Sequence, residues 1–372
     1  MFQRPQHLLS RCARNRRVFF VEEPVFDSDV PLLETHRDQS GVSVLVPRLP
    51  TAFTADAAAP EIRRLLDRFL STERVVEYVA WYYTPMALAF SRHLQPRAIV
   101  YDCMDELSAF QGAPPGLRAA ERELLGRADL VLTGGVSLYE SKCRLHANVH
   151  ACPSSVDVPH FAQARNGGRD PDDQAGIPHP RLGYFGVVDE RFDVPLLAAV
   201  AEQRPDWQFV VVGPVVKIDP ARLPRRANIH YLGQKSYAEL PGYIAGWDVA
   251  LLPFARNEST RFISPTKTPE YLAAGKPVVS TSIRDVVRPY GQLGLVRIAD
   301  APSEFIAAVE ASLAEDARAR QAAADAFLSQ MSWDETWRRV SRLLDVVLKV
   351  PPAADTAAGR VAASPRIGPA IA

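Results

Sequence analysis

The chain has no net charge to speak of, since 43 lysines and arginines balance 43 aspartates and glutamates over 372 residues. No overall field therefore draws it to nucleic acid or to an anionic membrane, so nucleic acid is excluded as a partner and membrane association is expected to be peripheral at most. Cysteine is scarce and unpaired in pattern: Cys12, Cys103, Cys143 and Cys152 have no CxxC spacing, which argues against a zinc knuckle or redox pair. Free thiols in a reducing compartment are the expectation. No apolar run approaches the ~20 residues of a membrane span, and the N-terminus lacks a signal-peptide core, so the chain reads as cytoplasmic. GxSxG, HExxH, Walker and GxGxxG patterns are all missing, and with them go triad hydrolases, zinc proteases, P-loop enzymes and dinucleotide oxidoreductases. Lysine is rare beside arginine, occurring only at Lys142, Lys217, Lys235, Lys267, Lys276 and Lys349. A lysine in a loop before a helix therefore carries slightly more weight than usual.

What is present is alternation of short apolar runs with helical periodicity, repeated twice. The first half reads as a helix over 6–13, strands in "RVFFVEEP" and "VSVLVPRLP", a helix over 60–74, strands in "EYVAWYYTP" and "RAIVYDCMDE", a helix over 116–127, "ADLVLTGG", a helix over 136–145 and "NVHACPSSVD". A polar, Gly/Pro-rich stretch over 163–180 marks a boundary. The second half continues with "RLGYFGVV", "WQFVVVGP", "NIHYLG", "DVALLPF" and "KPVVST", interleaved with helices. Such alternation predicts an α/β protein with parallel sheets in two Rossmann-like domains, 1–176 and 177–349, and a disordered Ala/Pro-rich tail over 350–372. Trp333, Trp337, Val340, Leu344 and Val347 share one face of a last helix, where the tryptophans serve packing.

In parallel sheets ligands sit beyond the carboxyl ends of strands. That rule selects the long loop from Pro253 to Thr268 and the stretch "FISPTKTPEYLAAGKPVVS" that follows. Orphaned amides at a helix start bind phosphate. Thr268 is a candidate N-cap, and Ser264, Thr266 and Lys267 add donors to the same anion. Glu270 in the first turn suits a sugar diol, which donates two hydrogen bonds to one carboxylate, so the pair suggests a diphosphate joined to a ribose. The competing reading is that Glu270 complements the helix dipole and Lys267 is a solvated loop charge.

At these residues the chain resembles the retaining glycosyltransferases of family four, which have the GT-B fold. "EYLAAGKPVVS" matches the second half of that family's motif, "ACPSSVDVPHF" is similar to its turn at the end of the first domain, and "GYFGVVDERFD", "DVALLPF" and "SWDETW" also fit. "RPQHLLSR" and "FVEEP" further resemble a bacterial surface-polysaccharide subgroup.

The resemblance implies transfer of a sugar from a UDP- or GDP-sugar to a hydroxyl of a glycan or lipid-linked acceptor, with retention and with no metal or other cofactor required. It implies that Glu270 holds the ribose, that Lys267 and the backbone at Thr268 hold the diphosphate, and that Arg191, near Gly186, neutralises phosphate. The Gly233 to Lys235 loop would lie along the base. Asp102 and Asp105 face the cleft as candidate acceptor or catalytic contacts, with capping and turn roles as the alternative. His7 and the Trp81 to Tyr83 run are weaker candidates for sugar contact. Two departures stand out. Phe262 occupies the position where the family has a first glutamate, so either Asn257 or Glu258 substitutes or donor handling differs, and the chain opens inside what should be the first helix, so a first strand is expected to be missing. A nucleotide-sugar epimerase or hydrolase, and a non-catalytic nucleotide-sugar-binding protein, are the alternative functions.

Overall fold

A computed structural model describes residues 3–349; the tail expected from residue 350 lies outside the described residues. Strand-forming apolar runs fall where the sequence places them. β1 (Phe19–Val21), β2 (Val25–Phe26), β3 (Leu32–Arg37) and β4 (Ser43–Leu49) form one small sheet, in which β4 pairs parallel with β1 and β2 and antiparallel with β3. β5 (Val79–Tyr82), β6 (Ala98–Cys103), β7 (Leu130–Thr133) and β8 (Val149–Ala151) form a second, all-parallel sheet in sequential order. The free edges of β1 and β5 face one another across an apolar cavity of about 1030 Å³ lined by Leu9, Leu45, Phe69 and Leu344 among others.

The second domain carries one six-stranded parallel sheet built from β9 (Arg181–Phe185), β10 (Gln208–Val212), β11 (Ile229–Gly233), β12 (Val249–Leu252), β13 (Val278–Ser280) and β14 (Arg297–Ile298). Its order is β11-β10-β9-β12-β13-β14, so the winding reverses between β9 and β12. Strands β9, β12 and β13 are buried at every residue, as both-face coverage by helices requires. This topology makes the carboxyl ends of β9 and β12 the expected ligand site.

Domain membership does not follow the linear division at 176. Phe161 and Ala164 sit in the core beneath the second sheet with Trp247 and Tyr271. The last helix, Trp333–Lys349, returns to the first domain, where Val340 and Leu344 pack on Val100, Leu130 and Leu132. β2, β3 and β14 are elements the sequence reading did not separate from loop: two are only two residues long, and β3 is mostly exposed, so none shows a buried periodic run.

Candidate functional site

The site grows from the end of β9. Gly186 follows it with φ +137°, a conformation open to glycine and strained for other residues, and a Cβ there would collide with Lys267 Cε. Glycine thus lets the lysine cross the strand end. Lys267 opens the short Lys267–Ala273 helix, with its Nζ 5.7 Å from the Tyr184 ring centroid. Burial lowers its pKa, opposed by Glu270, and it makes no side-chain hydrogen bond among the described residues. Glu270 lies in the same turn with its carboxyl pushed up to about 7, mainly by burial against the pull of Lys267. It too accepts no side-chain hydrogen bond among the described residues. An ammonium over two aromatic rings and a carboxyl, both partly buried at a switch point and both without a hydrogen-bond partner among the described residues, are candidate ligand groups.

Arg191, in the loop after β9, joins them. Its Nε and Nη2 bind Asp189 at 3.0 and 2.6 Å, and its guanidinium lies 5.1 Å from the Phe110 ring, which the first domain supplies. Asp189 holds the guanidinium in place and leaves Nη1 outside that pair. Asp105, from the loop after β6, reaches the same cluster from across the cleft. Burial lifts its carboxyl to about 6, while Arg191 and Lys267 pull it down and Asp189 pushes it up. Five charged side chains from two domains, Lys267, Glu270, Arg191, Asp189 and Asp105, therefore act on one another, and the sequence alone singles out neither Asp189 nor Phe110.

Other expected residues are placed differently. Asp102 is fully buried in β6, where Arg4 Nε and Nη2 bind its carboxylate at 3.0 and 2.9 Å and Arg4 Nη1 donates to the Cys152 carbonyl at 2.6 Å. It is a core ion pair and not a cleft carboxylate. Thr268 is not the N-cap: Thr266 occupies that position, Thr268 is fully buried, and its N–H already donates to Pro265 O at 3.1 Å. Pro269 has no N–H and that of Glu270 donates to Thr266 O at 3.3 Å, so the anion seat depends on the Lys267 ammonium more than on free amides. Ser264 packs toward Gly135 of the first domain, where a Cβ would meet its own. Lys235 is held by Asp173 at 2.5 Å and lies over Tyr243, while Gly233 is exposed with φ +70° and open space around it.

Phe262 is partly buried against the first domain's core cluster, the one that holds Tyr101, Leu124 and Leu138, which accounts for an aromatic residue there. Asn257 spends its side chain capping Ser259 and Thr260 and donating to Glu190 O, and Glu258 is exposed beside Arg261, so neither substitutes for a glutamate at that position. His7 stacks on Trp333 at 4.3 Å with its pKa lowered to about 4 by burial, a packing role. All four cysteines are free.

Residues 180–315 match the family model described as glycosyl transferases group 1. A Bacillus subtilis strain 168 protein described as the teichuronic acid biosynthesis glycosyltransferase TuaH is 28% identical over 255 residues, 63% of this chain and 64% of that protein. The matched stretch thus spans less than two thirds of the relative's length. Among solved structures, sucrose-phosphate synthase of Thermosynechococcus elongatus superposes with TM-score 0.69 at 15% identity over 92% of each chain. The E. coli trehalose-6-phosphate protein bound with UDP-2-fluoro glucose gives 0.63 at 14% identity, over 89% of this chain and 92% of that one. Anabaena HepE in complex with UDP and glucose gives 0.60 at 16%, over 82% and 87%. The chain has the GT-B architecture, and the stretch of its second domain that matches the glycosyl transferases group 1 model includes Gly186, Arg191, Lys267 and Glu270.

Proposed function

We propose that the protein transfers a sugar from a nucleoside-diphosphate sugar, UDP- or GDP-linked, to a hydroxyl of a glycan or lipid-linked acceptor in cell-surface polysaccharide synthesis, with retention. The observation that carries this is Lys267, crossing Gly186 at the switch point of the second sheet, with Glu270 in the same helical turn and neither group hydrogen-bonded among the described residues. Glu270 accepts the ribose hydroxyls. Lys267 and Arg191 hold the diphosphate and stabilise the charge that grows on it as the anomeric carbon–oxygen bond breaks. Asp105, facing them, orients the acceptor hydroxyl, whose oxygen bonds to the anomeric carbon on the face the phosphate leaves, while its proton passes to a phosphate oxygen. The complexes of the fold's neighbours with UDP, glucose and UDP-2-fluoro glucose support a nucleotide-sugar donor. The teichuronic acid role given to TuaH supports a surface-polysaccharide acceptor.

Incubation with UDP- and GDP-sugars, followed by nucleotide release with and without glycan acceptors, tests the reading. Acceptor-dependent release is expected. Isomerised donor without release would indicate an epimerase, and binding with neither outcome a non-catalytic binding protein; each would overturn it.

A further inference from the structure

Asp105 belongs to a strap, residues 104–111, that crosses from the end of β6 toward the second domain with only a three-residue turn, Leu107–Ala109, as regular structure. Side-chain ties fix its course. On one side of Asp105, the Met104 backbone passes so close to Gly134 that a Cβ there would strike the Met104 carbonyl. On the other, Glu106 Oε2 accepts from Lys142 Nζ at 2.7 Å, and Glu106 Oε1 accepts from Ser108 Oγ at 2.8 Å. Further along, Phe110 lies under Arg191 and Lys217 at 5.1 and 5.4 Å, and Gln111 N–H donates to Glu190 Oε1 at 3.1 Å.

We propose that Lys142 is a positioning residue: its ammonium, bridging Glu106 and Glu121, sets the strap so that Asp105 faces Lys267 and Arg191 across the cleft. Lys142 is 2% exposed, and its second partner, Glu121 Oε1 at 2.7 Å, also accepts from Tyr101 OH at 2.9 Å. The ammonium thereby ties a strap without pairing of its own to the Leu117–Arg127 helix, to β6 and to its own helix, Val136–Lys142. One ammonium among two carboxylates is a poor route to stability, because buried ions lose hydration that an apolar replacement would not. What the arrangement supplies is register. With the peptide clamped at Met104 and at Glu106, the direction of the intervening side chain is set.

The proposal rests on the transferase reading for what Asp105 does, and on the strap's geometry for how it is held. Its test is hydrogen exchange on the full chain for the wild type, Lys142→Met, Glu106→Leu and Glu106→Gln. Lys142→Met and Glu106→Leu should speed exchange over 104–111 by about ten-fold or more, with 267–274 unchanged, while Glu106→Gln, which still accepts from the ammonium, stays near wild type. Should Lys142→Met fail to fold, the two Glu106 variants decide the matter. With a nucleotide-sugar donor and acceptor, Lys142→Met should lower kcat about ten-fold and leave the donor KM within about two-fold. Unchanged exchange over 104–111, or equal acceleration throughout the first domain, would overturn the proposal. A wild type with no acceptor-dependent nucleotide release would refute the transferase reading alone, and the exchange result would still judge Lys142.

Discussion

Glu270 gives the most direct residue-level test. Its carboxyl is held up to about 7, and the form that accepts from a ribose diol is the carboxylate, so the proton must leave before the nucleotide binds. UDP or GDP affinity measured by calorimetry should therefore rise as pH climbs through about 7, and Glu270→Ala should remove that contribution and weaken binding about ten-fold or more at the alkaline end. The same shift has a converse without ligand. Between the ordinary 4.5 and about 7 the folded protein holds a proton the unfolded chain has released, so this group's contribution to stability declines as pH rises across that window. Gly186→Ala should both strain a backbone at φ +137°, on the order of 1–3 kcal/mol in denaturant melts, and displace Lys267, with a loss of nucleotide affinity. Much of this residue set was legible. Lys267 and Glu270 stand at the mouth of a helix between two buried strands, a local signal. Asp102 was misread because strand-end position does not say which alternate side chain points inward, and its partner, Arg4, lies 98 residues away in sequence. Lys142 reads as an ordinary helix lysine until Glu106 and Glu121 are brought to it by the fold.

At the scale of elements, the loop between β12 and the Lys267–Ala273 helix is less a substrate loop than a bridge. Phe262 at its far end packs on the first domain's core cluster, the one that holds Tyr101, Leu124 and Leu138. Being only partly buried, it contributes on the order of 1 kcal/mol. Phe262→Ala should leave each domain's own melting intact while raising hydrogen exchange in the first-domain segments that form this cluster. The strands and long helices could be read because each buries a continuous face. The bridge could not, because Phe262 is explained by a surface formed from segments over 110 residues earlier, and no local period announces such a contact.

For the whole molecule, the domains are joined at several points besides the chain crossings. Asp285 Oδ1 accepts from Ser137 N–H at 3.0 Å, Arg284 pairs with Glu140, and a Cβ on Gly135 would strike Asp285. Gly135→Ala should open this joint and increase the radius of gyration in solution scattering, with secondary structure kept. Breaking the first domain from within is a different matter. Arg4→Met leaves Asp102 buried and unpaired, at a cost of about 3–5 kcal/mol, so urea should unfold the first domain before the second and split one transition into two. The architecture as a whole was readable because doubly wound sheets repeat their pattern. The division of the first domain's sheet was not legible, since no single strand records which neighbour it pairs with. That division has a further consequence. Where β1 and β5 turn unpaired peptide groups toward a greasy hollow, each copy offers a template for foreign strands. Concentrated solutions should accordingly drift toward aggregates seeded at this seam, and a short proline-free apolar peptide that lodges there should slow the drift.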